Sequence, residues 1–571
     1  MSSVYVDRVV LQNRLFAELS AMFGGEVPLY DKSLAVNQVT NRAVGDLLAV
    51  RFPGFTLGDD ELEATSAERH GAIRIGRPDE YQWIGRFFAC FAMEPHGFYD
   101  MTALGAKSQP VIATAFRSVI NPEHRVFTSL LVSDYFDDAT KTRIEGALAQ
   151  RDVFGDAARA LIEKCEAQGG LDEDDAAALI EQAATRIFKW QGRARDHELY
   201  TDLCEGGFKI AADISCFDSH HLNHLTPNTF CMDLYTSAMK FAMGEMDEAE
   251  FRKRATAALG RLAAKSTVDD LILLFKHRTR GELAGFAPAA VDDGAVAKLV
   301  DGLIARLGED DLDLSKHPHN GFKDFTEGPD VNTPVLLRQD AYKALTEPVV
   351  FANGDGTTTD TVHTARFGEI EQRFYATTPA GRELYDECLL AFEPKRAEDP
   401  GLTKRDHAAF QAMQAEAFAA LPDTLAELLD AGLVYGRYHA TDAGLAAASG
   451  GGSIDTADLT ELADRGYVVV DGLRYEDFLP FSAAGIFASN LNQYGTASTA
   501  ADRREYTQAD LEKVLGKAIV DVNVAYRGIE ARSKLAALEA LGVVDRLAAD
   551  QRAELEKQAE GCPVPLEAVV A

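Results

Sequence analysis

Apolar residues recur along this chain at two different periods, and the changes of period divide it. Over residues 7–23, and again from Val39 to Phe52, they return every three to four positions, which predicts amphipathic helices; Gly24-Gly25 closes the first. Arg69 to Gly76 (R-H-G-A-I-R-I-G) is short and extended, and a strand there sets His70, Ala72 and Arg74 on one face. Residues 106–136 are mixed and include the strand-like R-V-F-T-S-L-L-V, whereas residues 138–200 are helical with a break at Gly169-Gly170. Residues 208–217 are expected to form a strand, followed by a segment carrying His220, His221 and His224. The stretch 235–320 is helical in pattern, with Phe251, Ala255, Leu259 and Leu262 on one face.

After it, P-V-L-L-R-Q predicts a strand and D-A-Y-K-A-L a short helix. From Phe367 the residues alternate: Phe367, Glu369, Glu371 and Arg373 face one way, Gly368, Ile370, Gln372 and Phe374 the other. Thr378 then caps a helix with Pro379 at its first position. Helices run to about 431, G-L-V-Y-G-R-Y and G-Y-V-V-V are expected to pair, A-S-G-G-G-S reads as a flexible link, and helices resume after Thr507. The expected organisation is a core in two parts, 1–230 and 321–495. An inserted helical subdomain at 235–320 divides them, and a helical C-terminal region covers 496–571.

Composition narrows the function. A net charge of −33 over 571 residues is the wrong sign for phosphate backbones and for anionic membrane surfaces, and is read as solubility by self-repulsion. No run approaches the ~18 apolar residues of a membrane span, and M-S-S-V-Y-V-D-R-V-V lacks the basic-then-apolar pattern of a signal peptide. The seven cysteines are widely spaced without a C-x-x-C pair, as expected of reduced thiols in a cytoplasm. G-x-S-x-G, Walker, G-x-G-x-x-G and H-E-x-x-H motifs are absent, which leaves serine hydrolase, kinase and dinucleotide readings unsupported.

The acidic face of the Phe367–Arg373 strand carries the chemistry. Two carboxylates and an arginine are expensive to enclose unless something cationic meets them. A divalent metal with histidine co-ligands would do so. His70 and one of the clustered His220, His221 and His224, with one of the two glutamates, make a two-histidine–one-carboxylate set. Such a set leaves coordination positions open for Fe(II) and O2 chemistry.

Three segments settle the choice by resemblance. H-G-A-I-R, N-H-L-T-P and F-G-E-I-E-Q-R…T-P-A-G-R-E-L-Y-D resemble signature segments of the 2-oxoadipate dioxygenase/decarboxylase (2-hydroxyglutarate synthase-like) family of the vicinal oxygen chelate superfamily. The likeness covers roughly 1–230 and 320–490. It implies an α+β fold whose βαβββ modules form a half-open β-barrel around the metal, with extensive added helices. It also implies a non-haem Fe(II) enzyme that turns 2-oxoadipate and O2 into 2-hydroxyglutarate and CO2 in lysine catabolism. The N-H-L-T match selects His224, and the E-x-x-Q-R match selects Glu369, so His70, His224 and Glu369 are the implied metal ligands. Glu371 and Arg373 then support them. Arg74 is expected to grip the distal carboxylate of the substrate with its planar fork. The turn at Phe481-Ser482 is implied to touch substrate; Phe481 is bulkier than the aliphatic residue expected there, which leaves the particular 2-oxo acid open. Competing readings are a metal-dependent glyoxalase or hydrolase of the same superfamily, an oxygenase for another 2-oxo acid, and a binding protein without the metal.

Overall fold

The structure is a computed structural model that describes residues 5–102, 108–118, 122–276, 278–317, 319, 321–323, 325–343, 346–364, 367–450, 454–479 and 505–564. Its strands are β1 (Arg69–Ile75), β2 (Glu94–Asp100), β3 (Val111–Arg117), β4 (His124–Leu131), β5 (Arg193–Arg195) and β6 (His224–Pro227), then β7 (Leu337–Lys343), β8 (Thr346–Ala352), β9 (Thr358–Thr364), β10 (Phe367–Arg373), β11 (Gly436–Ala440) and β12 (Val468–Gly472). Five form one mixed sheet in the order β2-β3-β4-β1-β6, with β1 parallel to β4 and antiparallel to β6. β10 and β7 make an antiparallel pair. The chain running on from β6 bridges to β10 at Asn228 and Glu371, and the Thr229 amide donates to the Glu371 carbonyl at 2.8 Å. β10 therefore continues the edge that β6 leaves open. The fold is α+β, with mixed sheets and many helices.

Gly368 permits the close approach of β10 and β7. A Cβ there would fall 1.6 Å from the ring of Tyr342, its partner in register, so only glycine lets that buried ring lie across the strand. This contact also explains one departure from the sequence reading. D-A-Y-K-A-L begins as strand, because Asp340–Lys343 extends β7 against β10. Its helix-forming residues yield to cross-strand pairing.

A second departure is the expected strand over 208–217, where Lys209–Cys216 is a helix. Ala211 through Cys216 are all buried, so no face is left polar and the apolar period that separates helix from strand is erased.

The helix expected over 7–23 spans Arg8–Glu26, capped by the Asp7 side chain, which accepts from the amides of Val9 and Val10. The next begins at Pro28 rather than near Val39 and runs to Arg51, burying Leu29 and Tyr30 ahead of the expected start. The Pro379–Glu398 helix has Thr378 as its N-cap, whose hydroxyl accepts from the Gly381 amide at 3.2 Å. β11 and β12 pair antiparallel as expected.

The helices Met232–Ala242, Glu248–Lys265 and Asp293–Leu307 bury Phe251, Ala255 and Leu259, with Leu262 half-buried beside them. They share one core with Pro28–Arg51 that extends to Tyr342 and Ile370 on β7 and β10. The helical region thus packs on the back of the strand pair that carries Glu369.

Candidate metal centre

Pairing of β1 with β6 puts His70 opposite Thr226 and Ala72 opposite His224, so the two histidines stand diagonally on one face of adjacent strands. β10 arrives beside β6 and turns Glu369 toward them. His70 Nε2 and His224 Nε2 are 3.1 Å apart, and Glu369 Oε2 lies 3.7 Å from the first and 3.3 Å from the second. One ligand atom from each residue falls within 4.8 Å of the others, and all three side chains are buried.

Each donor is oriented from behind. Glu371 Oε2 accepts from His70 Nδ1 at 2.8 Å. Glu371 is itself clamped by Arg373 at 2.8 and 3.0 Å and by Arg125 at 3.3 Å. Burial alone would raise the Glu371 carboxyl, but Arg373, the hydrogen bond with His70, and Arg125 outweigh it and hold the group well below the usual carboxylate range. An ionised Glu371 can only accept, so His70 carries its proton on Nδ1 and presents a bare Nε2. Burial also lowers the proton affinity of His70 and, more strongly, of His224, which keeps both imidazoles neutral and able to ligate. Thr226 and Gln339 donate to Glu369 Oε2 at 3.1 and 2.5 Å.

The remaining polarity asks for a cation. Glu369 Oε1 is buried without a hydrogen-bond partner, and burial pushes the carboxyl up to about 8 against the pull of Lys323. Two facing imidazole nitrogens and a carboxylate with one oxygen unspent fit a first-row divalent metal.

Arg74 stands two places beyond Ala72 on the same β1 face, and its Nη1 is 3.3 Å from Asp213 Oδ2. Asp213 also accepts from Lys209 at 2.9 Å and contacts His363 Nε2 at 3.1 Å, so the helix misread as a strand is what steadies the arginine. Of the other clustered histidines, His220 Nε2 lies 3.3 Å from Glu80 and His221 packs on Trp190; neither joins the centre. Phe481 and Ser482 lie outside the described residues. Just before them, Phe478 stands edge-on to His70 at 4.9 Å and to Phe127 at 5.4 Å, walling one side of the centre.

Sequence reasoning missed Thr226, Gln339, Arg125, Asp213 and Phe478. Thr226 had a signal, since it lies two residues from His224 on the same strand face. Gln339 and Arg125 had none, because their roles come from strands paired across long separations.

The fold and the centre define an α+β enzyme built around a buried histidine–histidine–glutamate site. The chain belongs to the 2-oxoadipate dioxygenase/decarboxylase family, whose model matches residues 15–250 and 304–490. A Pseudomonas putida protein described as 2-oxoadipate dioxygenase/decarboxylase is 33% identical over 551 residues, 94% of this chain and 98% of its own. Its counterpart in Escherichia coli K12 is 32% identical over 541 residues, 93% and 98% of the two chains. Among solved structures, hydroxyglutarate synthase of P. putida in complex with 2-oxoadipate is similar at a TM-score of 0.66 and 30% identity, over 94% of this chain and 99% of that one.

Proposed function

We propose that this chain is a mononuclear Fe(II) enzyme that converts 2-oxoadipate and O2 to 2-hydroxyglutarate and CO2, a cytoplasmic step of lysine breakdown. The reading is carried by one observation: a buried two-nitrogen, one-oxygen donor set, unsatisfied as it stands, on a chain closely similar to a synthase solved with 2-oxoadipate. His70, His224 and Glu369 would hold the iron. When bound, the metal would supply a redox-active Lewis acid with positions open to a chelating 2-oxo acid and to O2.

The residues of this chain do the rest. Glu371 keeps the proton of His70 on Nδ1, so Nε2 would be free to ligate the metal. Thr226 and Gln339 fix the Glu369 carboxylate and prevent its rotation away from the histidines. Arg74, steadied by Asp213, offers N–H groups to the distal carboxylate and so places the reacting end of the substrate against the centre. Phe478 and Phe127 exclude water from one flank, with Phe481 and Ser482 as further proposed substrate contacts.

We also read β1, β6 and β10 as parts of a half-open barrel of vicinal oxygen chelate type. The β6–β10 bridge, which carries the sheet from one strand set to the next, supports this. On that reading residues 1–230 and 321–495 are two parts of one metalloenzyme core, with 235–320 inserted between them and 496–571 appended.

Anaerobic Fe(II) reconstitution followed by a 2-oxo acid panel tests the proposal. O2 uptake with stoichiometric CO2 and 2-hydroxyglutarate from 2-oxoadipate is the expected result. Fe(II)-loaded protein that consumes no O2 with 2-oxoadipate would overturn it.

A further inference from the structure

A cavity lies apart from the candidate metal centre. It is a cleft of about 1070 Å³ between the β11–β12 pair, the segment 272–285 and Pro122-Glu123. Lys276, Arg278, Arg280, Arg437, Arg474 and His439 line it, a concentration of basic groups in a chain of net charge −33. None of His70, His224 and Glu369 lines it. Buried charges stand between the two sites: Arg474 pairs with Glu68 at 3.1 Å, Glu68 with Arg125 at 2.8 Å, and Arg125 with Glu371 at 3.3 Å.

Of the carboxylates that line the cleft, Asp471 and Glu476 are already engaged. Asp471 faces Arg280 and His439, the latter at 3.1 Å. Glu476 faces Arg125 and Arg474. Arg278 is spent on Glu61, and Lys276 shares Glu68 with Arg474.

Arg437 is the exception. It lies opposite Asp471 in the β11–β12 register, yet Asp471 turns to Arg280 and His439. Among the described residues the Arg437 side chain makes neither a hydrogen bond nor a close ion pair, although it is only partly exposed and burial lowers its proton affinity. Arg474 Nε is likewise buried without a hydrogen-bond acceptor, while Lys276 Nζ and His439 Nε2 rest against Glu68 at 3.3 Å and Asp471 at 3.1 Å. Desolvated cationic donors lacking acceptors are unfavourable until an anion meets them. The volume is that of an organic ligand rather than of a bare inorganic ion, and Leu473, Ile272 and Val469 supply apolar wall between the charges.

We propose that this cleft binds a small organic anion bearing phosphate or carboxylate groups, with Arg437 as its principal contact and Lys276, Arg474 and His439 as further donors.

Titration calorimetry on the full-length, metal-free protein at low salt tests this, with inorganic pyrophosphate and citrate as separate probes. At least one is expected to bind with a Kd below about 1 mM. The tighter of the two tells a phosphate-type from a carboxylate-type site. Arg437→Met, which breaks no observed contact, should weaken binding at least about tenfold with unchanged far-UV circular dichroism, and Lys276→Met should weaken it too. Arg74→Ala should leave it unchanged. The proposal is overturned if neither probe binds, if both cleft variants bind as tightly as wild type, or if Arg74→Ala abolishes binding, which would locate the anion at the metal centre.

Discussion

Glu371 Oε2 accepts a hydrogen bond from His70 Nδ1 at 2.8 Å, although 301 residues separate the two. That contact divides the labour between the two glutamates of β10. Glu369 faces the histidine nitrogens and keeps an oxygen unspent, whereas Glu371 faces the back of one imidazole and is saturated by arginines.

The two carboxylates should therefore fail differently. Glu369→Ala is expected to lose the metal outright with the fold intact. Glu371→Ala should retain metal more weakly, by about 10–100-fold. It should also destabilise the protein by roughly 3–5 kcal/mol, because Arg373 and Arg125 are left buried without their partner. Metal analysis after dialysis, set beside urea unfolding of both variants, checks the contrast; equal metal loss with equal stability would contradict it.

Arg74→Lys keeps a charge but not the fork. Metal binding should be unchanged, while kcat/KM for 2-oxoadipate falls by about tenfold or more as the bidentate grip is lost. A 2-oxo acid without a distal carboxylate should show much less difference between variant and wild type. Steady-state O2 uptake with both substrates makes the comparison, and an unchanged kcat/KM for 2-oxoadipate removes Arg74 from the site.

Gly368→Ala should force β10 away from β7, since the new methyl would overlap the Tyr342 ring. A loss of at least about 1–3 kcal/mol is expected, from overpacking alone. Glu369 lies on the same strand, so metal affinity should drop with it. Adding Tyr342→Ala should recover part of the metal affinity by making room, which thermal melts and metal titration of the double variant can read.

Asp340 gives a pH signature. Burial pushes its carboxyl up to about 7, with Lys240 and Lys323 opposing, against 3.8 as its ordinary value. The folded state thus holds a proton that the unfolded chain releases. The stability this contributes is fully present below pH 3.8 and is lost as pH rises through about 7. Asp340→Asn, whose Oδ1 can accept from the Ala341 amide while its Nδ2 donates to the Thr326 hydroxyl, removes that dependence. Relative to wild type the variant should gain on the order of 4 kcal/mol between pH 4 and pH 8. Urea midpoints across that range follow it, and a constant difference would contradict the assignment.

Much of the local structure was legible because it depends on neighbours in sequence. Thr378 announced its helix start, and the alternation of Phe367–Arg373 announced a strand. The misread segments share a cause: the stretch 211–216 is buried all round and Asp340–Lys343 is recruited into a sheet, so neither shows its own period. At the centre, the motifs around His70, His224 and Glu369 marked which residues to watch. The hydrogen bonds of Gln339 and the clamp of Arg125 left no mark.

By itself the sequence determined the residue types, the strand faces on which His70, Arg74, Glu369 and Glu371 sit, and the excess of negative charge. Periodicity is local, and it reports which way a side chain points but not what it meets. Only the tertiary structure decided that His70 and His224, 154 positions apart, bring their Nε2 atoms to 3.1 Å, because that depends on β1 pairing with β6. Only the β6–β10 bridge brought Glu369 beside them. The acidic strand joined the two histidines because its edge was bridged by the chain running on from β6.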